Sequence, residues 1–80
     1  MNNIQFIDFF KAQLTDDVIV LSLETVYRDI PDWDSLTAML LITNLKDEFS
    51  IEISSLELQN CKTLADILSL INTKWVTGRI

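Results

Sequence analysis

Apolar side chains recur at helical spacing near the start of the chain, where Ile4, Phe6, Ile7, Phe9, Phe10 and Leu14 are separated by polar residues. The spacing predicts a helix from about Asn3 to Leu14, with Asn2 or Asn3 as the cap that accepts a free backbone N–H. So many large apolar groups in adjacent turns require one face of this helix to be buried. From Thr15 to Trp33 no period is sustained. Val18 to Leu21 would suit a strand by composition, but no second segment offers a partner, so the stretch is read as a long loop. A connection of this length packs on the core or serves a function. Leu21, Leu23, Val26, Tyr27 and Ile30 are its candidate anchors, and a helical turn fits within it.

Pro31 blocks continuation of any preceding helix, and Asp34 is a good cap for a new one, placing Ser35 in its first turn. The second helix is expected over Ser35 to Phe49. Ser54 or Ser55 caps a short third helix around Leu56 to Asn60. Thr63 followed by Asp66 resembles a capping box opening a fourth, whose inward stripe is Leu64, Ile67, Leu68 and Ile71. Trp75, Lys74 and Arg79 belong to a tail expected to fray over 73–80. The pattern predicts an all-α, four-helix bundle in a single domain spanning 1–80, with its core in about 4–72, a long loop between helices 1 and 2, and a short helix 3.

The second helix is apolar on two sides. At roughly 100 degrees per residue, Ala38, Ile42, Leu45 and Phe49 fall together as the expected core face, with Leu41 at its margin. Opposite them stand Leu36, Met39, Leu40, Thr43 and Asp47, three of them apolar where a solvated helix would show charge. Either neighbouring elements cover this second side, as around any central helix, or Leu36, Met39 and Leu40 form a partner-binding patch. In the second case Asp47 and Glu48 would steer basic partners toward it.

Composition narrows the function classes. Six basic residues stand against twelve acidic ones, a net charge of -6. Nucleic-acid binding is therefore not expected, because it rests on clustered Lys and Arg. One Gly, one Pro and 49% hydrophobic residues suit a packed helical globule. Cys61 is the one cysteine, so no internal disulfide is possible, and a reducing compartment, the cytoplasm, is the expected setting. The longest apolar runs, Val18 to Leu21 and Ala38 to Ile42, are too short to span a bilayer, so no membrane association is expected. Histidine is absent, which removes Ser-His and Cys-His pairs and argues against catalysis by this chain. Asp16-Asp17 and Asp32 with Asp34 lack the spacing of a calcium loop, and no metal site is expected. Cys61 reads as a small buried hydrophobe rather than a reactive thiol. Trp33 either packs the loop onto the bundle or meets a partner.

Asp34-Ser35-Leu36 at the start of the second helix resembles the modification motif of acyl carrier proteins. The tripeptide alone is weak, but the likeness extends over about residues 4 to 72. It takes in the first amphipathic helix, the long loop, the apolar helix ending in Phe49, then Ile51-Glu52-Ile53 and the Leu64-containing last helix. The resemblance implies a four-helix bundle of acyl-carrier-protein type that is not an enzyme. In that family a phosphopantetheinyl transferase moves a 4'-phosphopantetheine arm from coenzyme A onto the motif serine. The likeness gives that role to Ser35, with Asp34 and Leu36 as recognition neighbours. The arm's thiol carries acyl or aminoacyl groups as thioesters. The implied partners are the transferase, an acyl-loading ligase or transferase, and a downstream acyl-using enzyme, with the carrier acting as a monomer.

Some positions depart from the common family pattern. Asp32 stands where many relatives have Gly, and Trp33 follows it. Thr37, Leu40 and Lys46 occupy sites where fatty-acid carriers are often acidic. Among fatty-acid, polyketide and other specialised pathways, these departures favour a specialised one. The competing function, from a different class, is a helical adaptor that uses Leu36, Met39 and Leu40 without a prosthetic group.

Overall fold

Four helices and one 3-10 turn make up the described part of the chain, which in this computed structural model covers residues 1–14, 20–31 and 33–78, with side chains to residue 74. Asp16, Asp17, the Val18-Ile19 half of the candidate strand, Asp32, Arg79 and the Trp75 side chain lie outside it. Helix α1 (Asn3–Lys11) opens on a reciprocal cap. The Asn2 side chain accepts from the Gln5 N–H at 2.8 Å, and the Gln5 side chain accepts from the Asn2 N–H at 3.1 Å. Regular α-helix stops at Lys11 rather than Leu14. Tight turns follow, with Gln13 and Leu14 N–H groups donating to Phe10 and Lys11 carbonyls, and they still bury Leu14. Ile4, counted among the apolar repeat, is 75% exposed, because the core face runs through Phe6, Phe9 and Phe10.

The long connection is held down where its apolar residues predict. Tyr27 and Ile30 are buried, Leu21, Leu23 and Val26 are partly buried, and a 3-10 turn spans Tyr27–Asp29. Val26 forms an isolated antiparallel bridge with Thr63. Beside it, the carbonyls of Thr25 and Leu23 accept the N–H groups of Leu64 and Ala65 at 3.0 and 2.9 Å. Two donors that the start of a helix leaves unpaired are thus satisfied by the loop.

Helix α2 (Ser35–Phe49) matches its expected bounds and ends at Ser50, which takes a left-handed conformation (φ 57°). The strained cap reverses the chain so that Ile51 and Ile53 drop into the core. Helix α3 (Ser55–Gln59) is capped by Ser54, with Glu57 reaching back to the Ser54 N–H. Helix α4 (Leu64–Gly78) starts where the Asp66 carboxylate accepts from the Lys62 and Thr63 N–H groups. It runs on to Gly78, into the 73–80 segment. Lys74 pairs with Glu57 at 2.7 Å, which ties this extension of α4 to α3.

A single apolar cluster joins α1, the loop, α2, α3 and α4. Leu64, Ile67, Leu68 and Ile71 are all buried in it, as the stripe predicts. Cys61 is buried too, its thiol donating to the Glu57 carbonyl, and burial pushes its pKa up from 9.0. The expected face of α2 needs correction. Thr37, Leu41 and Leu45 are its buried residues, whereas Ala38, Ile42 and Phe49 are only partly covered. The inward axis is rotated by roughly 60 degrees from the one read off the wheel. Ala38, Ile42 and Phe49 still pack against the cluster from its edge, with Ala38 and Ile42 on the α3 side.

Candidate functional site

Asp34 sets the geometry of the motif. Its backbone is extended, and its Oδ1 accepts both the Thr37 N–H at 2.8 Å and the Thr37 hydroxyl at 2.9 Å. These bonds favour the charged form, so the Asp34 carboxyl is held below its ordinary 3.8, chiefly by the Thr37 N–H and then by the Thr37 hydroxyl. Thr37 thereby does local structural work at the start of α2. Ser35 follows the cap as the first residue of α2 and is exposed. Its place puts it beside the backbone N–H groups of a first helical turn, which favour an anion.

Beside Ser35 lies a groove of about 330 Å³, bounded by the 3-10 turn, the start of α2, and α3. Tyr27, Trp33, Ala38 and Leu58 supply its apolar wall; Arg28, Asp34, Ser35, Ser55 and Gln59 supply polar groups. The wall is well fixed. The Tyr27 hydroxyl donates to the Leu58 carbonyl at 2.7 Å, tying the turn to α3. Trp33 stacks on Phe10 with centroids 5.6 Å apart and planes 6° apart, and meets Tyr27 edge-on at 4.8 Å. Trp33 therefore packs the loop onto the bundle and also lines the groove beside Ser35. An exposed hydroxyl next to a fixed, part-apolar groove is a setting that a phosphodiester-linked arm fits.

The second side of α2 is open. Leu36 is 68%, Met39 57% and Leu40 43% exposed, and Thr43 and Asp47 continue the same stripe. Leu56 of α3, 69% exposed, adds an apolar residue that the sequence reading missed. Its signal was present: Leu56 and Leu58 lie two apart on a short helix, so they point to different sides, and Leu58 takes the core. Glu48 does not join the stripe. It lines a different groove with Gln5, Asp8 and Phe9 at the α1 side. Lys46 is paired with Glu52 at 3.0 Å, an exposed contact of small energetic worth that leaves Asp47 as the stripe's charged end. Arg28, Ser55 and Gln59 were also not singled out from sequence, since the groove brings together residues 31 positions apart.

Among the described residues no cluster of three His, Cys, Asp or Glu side chains is placed to hold a metal. No helix there is long and apolar enough to cross a membrane.

Comparison with known proteins agrees with this geometry. Residues 11–71 match the family model described as a phosphopantetheine attachment site. The acyl carrier protein of Aster yellows witches'-broom phytoplasma is 36% identical over 64 residues, covering 80% of this chain and 84% of the relative. That of Thermosynechococcus vestitus is 32% identical over 78 residues, covering 92% of this chain and 96% of the relative. The solution NMR structure of holo acyl carrier protein from Geobacter metallireducens superposes with a TM-score of 0.79 at 34% identity, covering 98% of this chain and 91% of that one. The chain belongs to the acyl carrier protein family, within the phosphopantetheine-attachment domains. Its prosthetic group is phosphopantetheine, and its role is carriage rather than catalysis, performed with a phosphopantetheinyl transferase and acyl-using enzymes.

Proposed function

We propose that Ser35 is the residue that carries the 4'-phosphopantetheine arm and that this carrier serves a specialised biosynthetic pathway in the cytoplasm. One observation carries the assignment of Ser35: it is the exposed first residue of α2, at the edge of a groove, inside the span that matches the attachment family. When bound, the group supplies a thiol on which an acyl or aminoacyl cargo is held as a thioester. Asp34 holds the start of α2 in shape through its two bonds to Thr37, so the Ser35 hydroxyl is presented from a fixed turn. Leu36, fully outside the core, is the adjoining recognition contact for the transferase.

Leu36, Met39, Leu40 and Thr43, extended by Leu56, form the surface on which partner enzymes dock, with Asp47 as its acidic edge. Those partners are the transferase, an acyl-loading ligase or transferase, and a downstream acyl-using enzyme, each meeting a monomeric carrier in turn. The apolar character of this surface, with Leu40 in place of an acid, supports a dedicated partner set over a central fatty-acid role.

The test is intact-mass measurement after incubation with coenzyme A and a broad-specificity transferase. The wild-type chain gains the mass of one phosphopantetheine and Ser35→Ala gains none. A variant that is modified as fully as wild type would overturn the assignment.

A further inference from the structure

Arg28 is the cationic side chain that lines the Ser35 groove, in a chain whose net charge is -6. It is held at two points. One guanidinium nitrogen donates to the Gln59 carbonyl of α3, and the guanidinium carbon stands 5.3 Å from the centroid of the Tyr27 ring. A guanidinium carries five N–H donors in a planar fork, so a bond to one carbonyl leaves donors for an anion. Among the described residues the ion pairs run through Lys46 and Lys74, not Arg28. The acid that shares the groove, Asp34, has its Oδ1 committed to Thr37.

We propose that Arg28 is a positioning residue for the prosthetic arm: it pairs with the phosphodiester at Ser35 and draws the adjoining part of the arm into the groove between the 3-10 turn and α3. This rests on Ser35 being the attachment point. Three observations fix the arm as the occupant. Ser35 lines the groove, so a group attached there begins inside it. Arg28 gives the groove the one charge sign that complements a phosphodiester. The volume of about 330 Å³ lies at the low end of sites that take small ligands, which fits a length of arm rather than an arm with a long acyl chain. Tyr27, Trp33 and Leu58 then supply the apolar wall for the arm's hydrocarbon portion, and Ser55 and Gln59 its polar edge. The arm rests against α3 and is released when a partner enzyme competes for it.

The test compares apo and holo protein by NMR, with intact mass recorded on the same samples. Conversion of the wild-type chain to the holo form is expected to move the Ser55 and Gln59 amide signals and the Trp33 indole N–H, and to broaden the phosphorus-31 line of the phosphodiester. In fully modified Arg28→Gln those shifts are lost and the phosphorus line narrows, while the apo variant's spectrum matches apo wild type away from residue 28. Arg28→Lys, which keeps the charge but not the fork, retains part of the shift. In the unaltered holo chain the shifts shrink as salt is raised to 1 M, where the screening length is about 3 Å. Fully modified wild type with shifts confined to residues 34–37, or groove shifts insensitive to both Arg28→Gln and salt, would overturn the role of Arg28 while leaving Ser35 in place. Absence of the mass gain on wild type would overturn the attachment assignment and this inference together.

Discussion

The two apolar sides of α2 have similar composition and opposite fates. Leu41 and Leu45 are completely covered, packed into the cluster that joins all four helices, whereas Leu36, Met39 and Leu40 stand in solvent. Hydropathy alone does not separate them; what separates them is where the bundle has neighbours. The core side faces the apolar cluster that the helices and the loop build together, while the other side carries no such cover beyond α3, a five-residue helix that turns its own Leu56 outward. Exposed apolar surface beside the proposed attachment serine, left uncovered by the fold, is what a carrier needs to be recognised by enzymes it visits briefly.

The largest effect expected from breaking this contrast comes from the covered side. Leu41→Ala should cost about 2–5 kcal/mol, because the removed methyl groups leave a cavity in a packed core. Small domains commonly hold only about 5–15 kcal/mol, so urea unfolding should show a large drop in midpoint. The same kind of change on the open side behaves differently. Met39→Glu should shift stability by no more than about 0.5 kcal/mol, since the side chain already faces water. It should nonetheless slow acyl transfer to or from a partner enzyme, and Leu56→Glu should act in the same direction. Unfolding of Met39→Glu would place that residue in the core and remove the distinction between the sides.

A smaller, reversible perturbation reaches the helix starts without touching either side. Asp34, Glu57 and Asp66 all have pKa values below their ordinary 3.8 or 4.5: Asp34 and Asp66 chiefly through backbone N–H bonds, Glu57 chiefly through Lys74. The native state therefore binds fewer protons than the unfolded chain near those values, and the contribution is complete above 4.5. It declines as pH falls through 4.5 and 3.8 toward the lowered native values. Cys61 gives the opposite limb. Its native pKa lies above 9.0, so its contribution is complete below 9.0 and is lost as pH rises through the native value. Melting temperature measured against pH should show a plateau between these limits.

Much of the fold was legible in the pattern because capping residues and apolar stripes are local signals. Asn2, Asp34 and Ser54 cap the helices predicted for them, the Thr63–Asp66 pair opens the fourth, and α2 has its expected bounds. What was not legible depended on tertiary packing. The side of α2 that turns inward is one such feature, and the partner of the Tyr27 hydroxyl, the Leu58 carbonyl 31 residues away, is another. The motif serine and the exposed stripe could be read from sequence, the first by family likeness and the second by helical spacing. The groove could not, since Arg28, Ser35, Ser55 and Gln59 meet only after the 3-10 turn docks on α3. Glu48, read as a steering charge beside Asp47, lines the groove at the α1 side with Gln5, Asp8 and Phe9, a placement that helical spacing alone does not give.

The most direct measurement is peptide mapping by mass spectrometry of the protein purified from the cells that make it. A phosphopantetheine adduct on the peptide containing Ser35, at that residue, is the predicted result. Native protein recovered with Ser35 uniformly bare, or with the group on another side chain, would contradict the account.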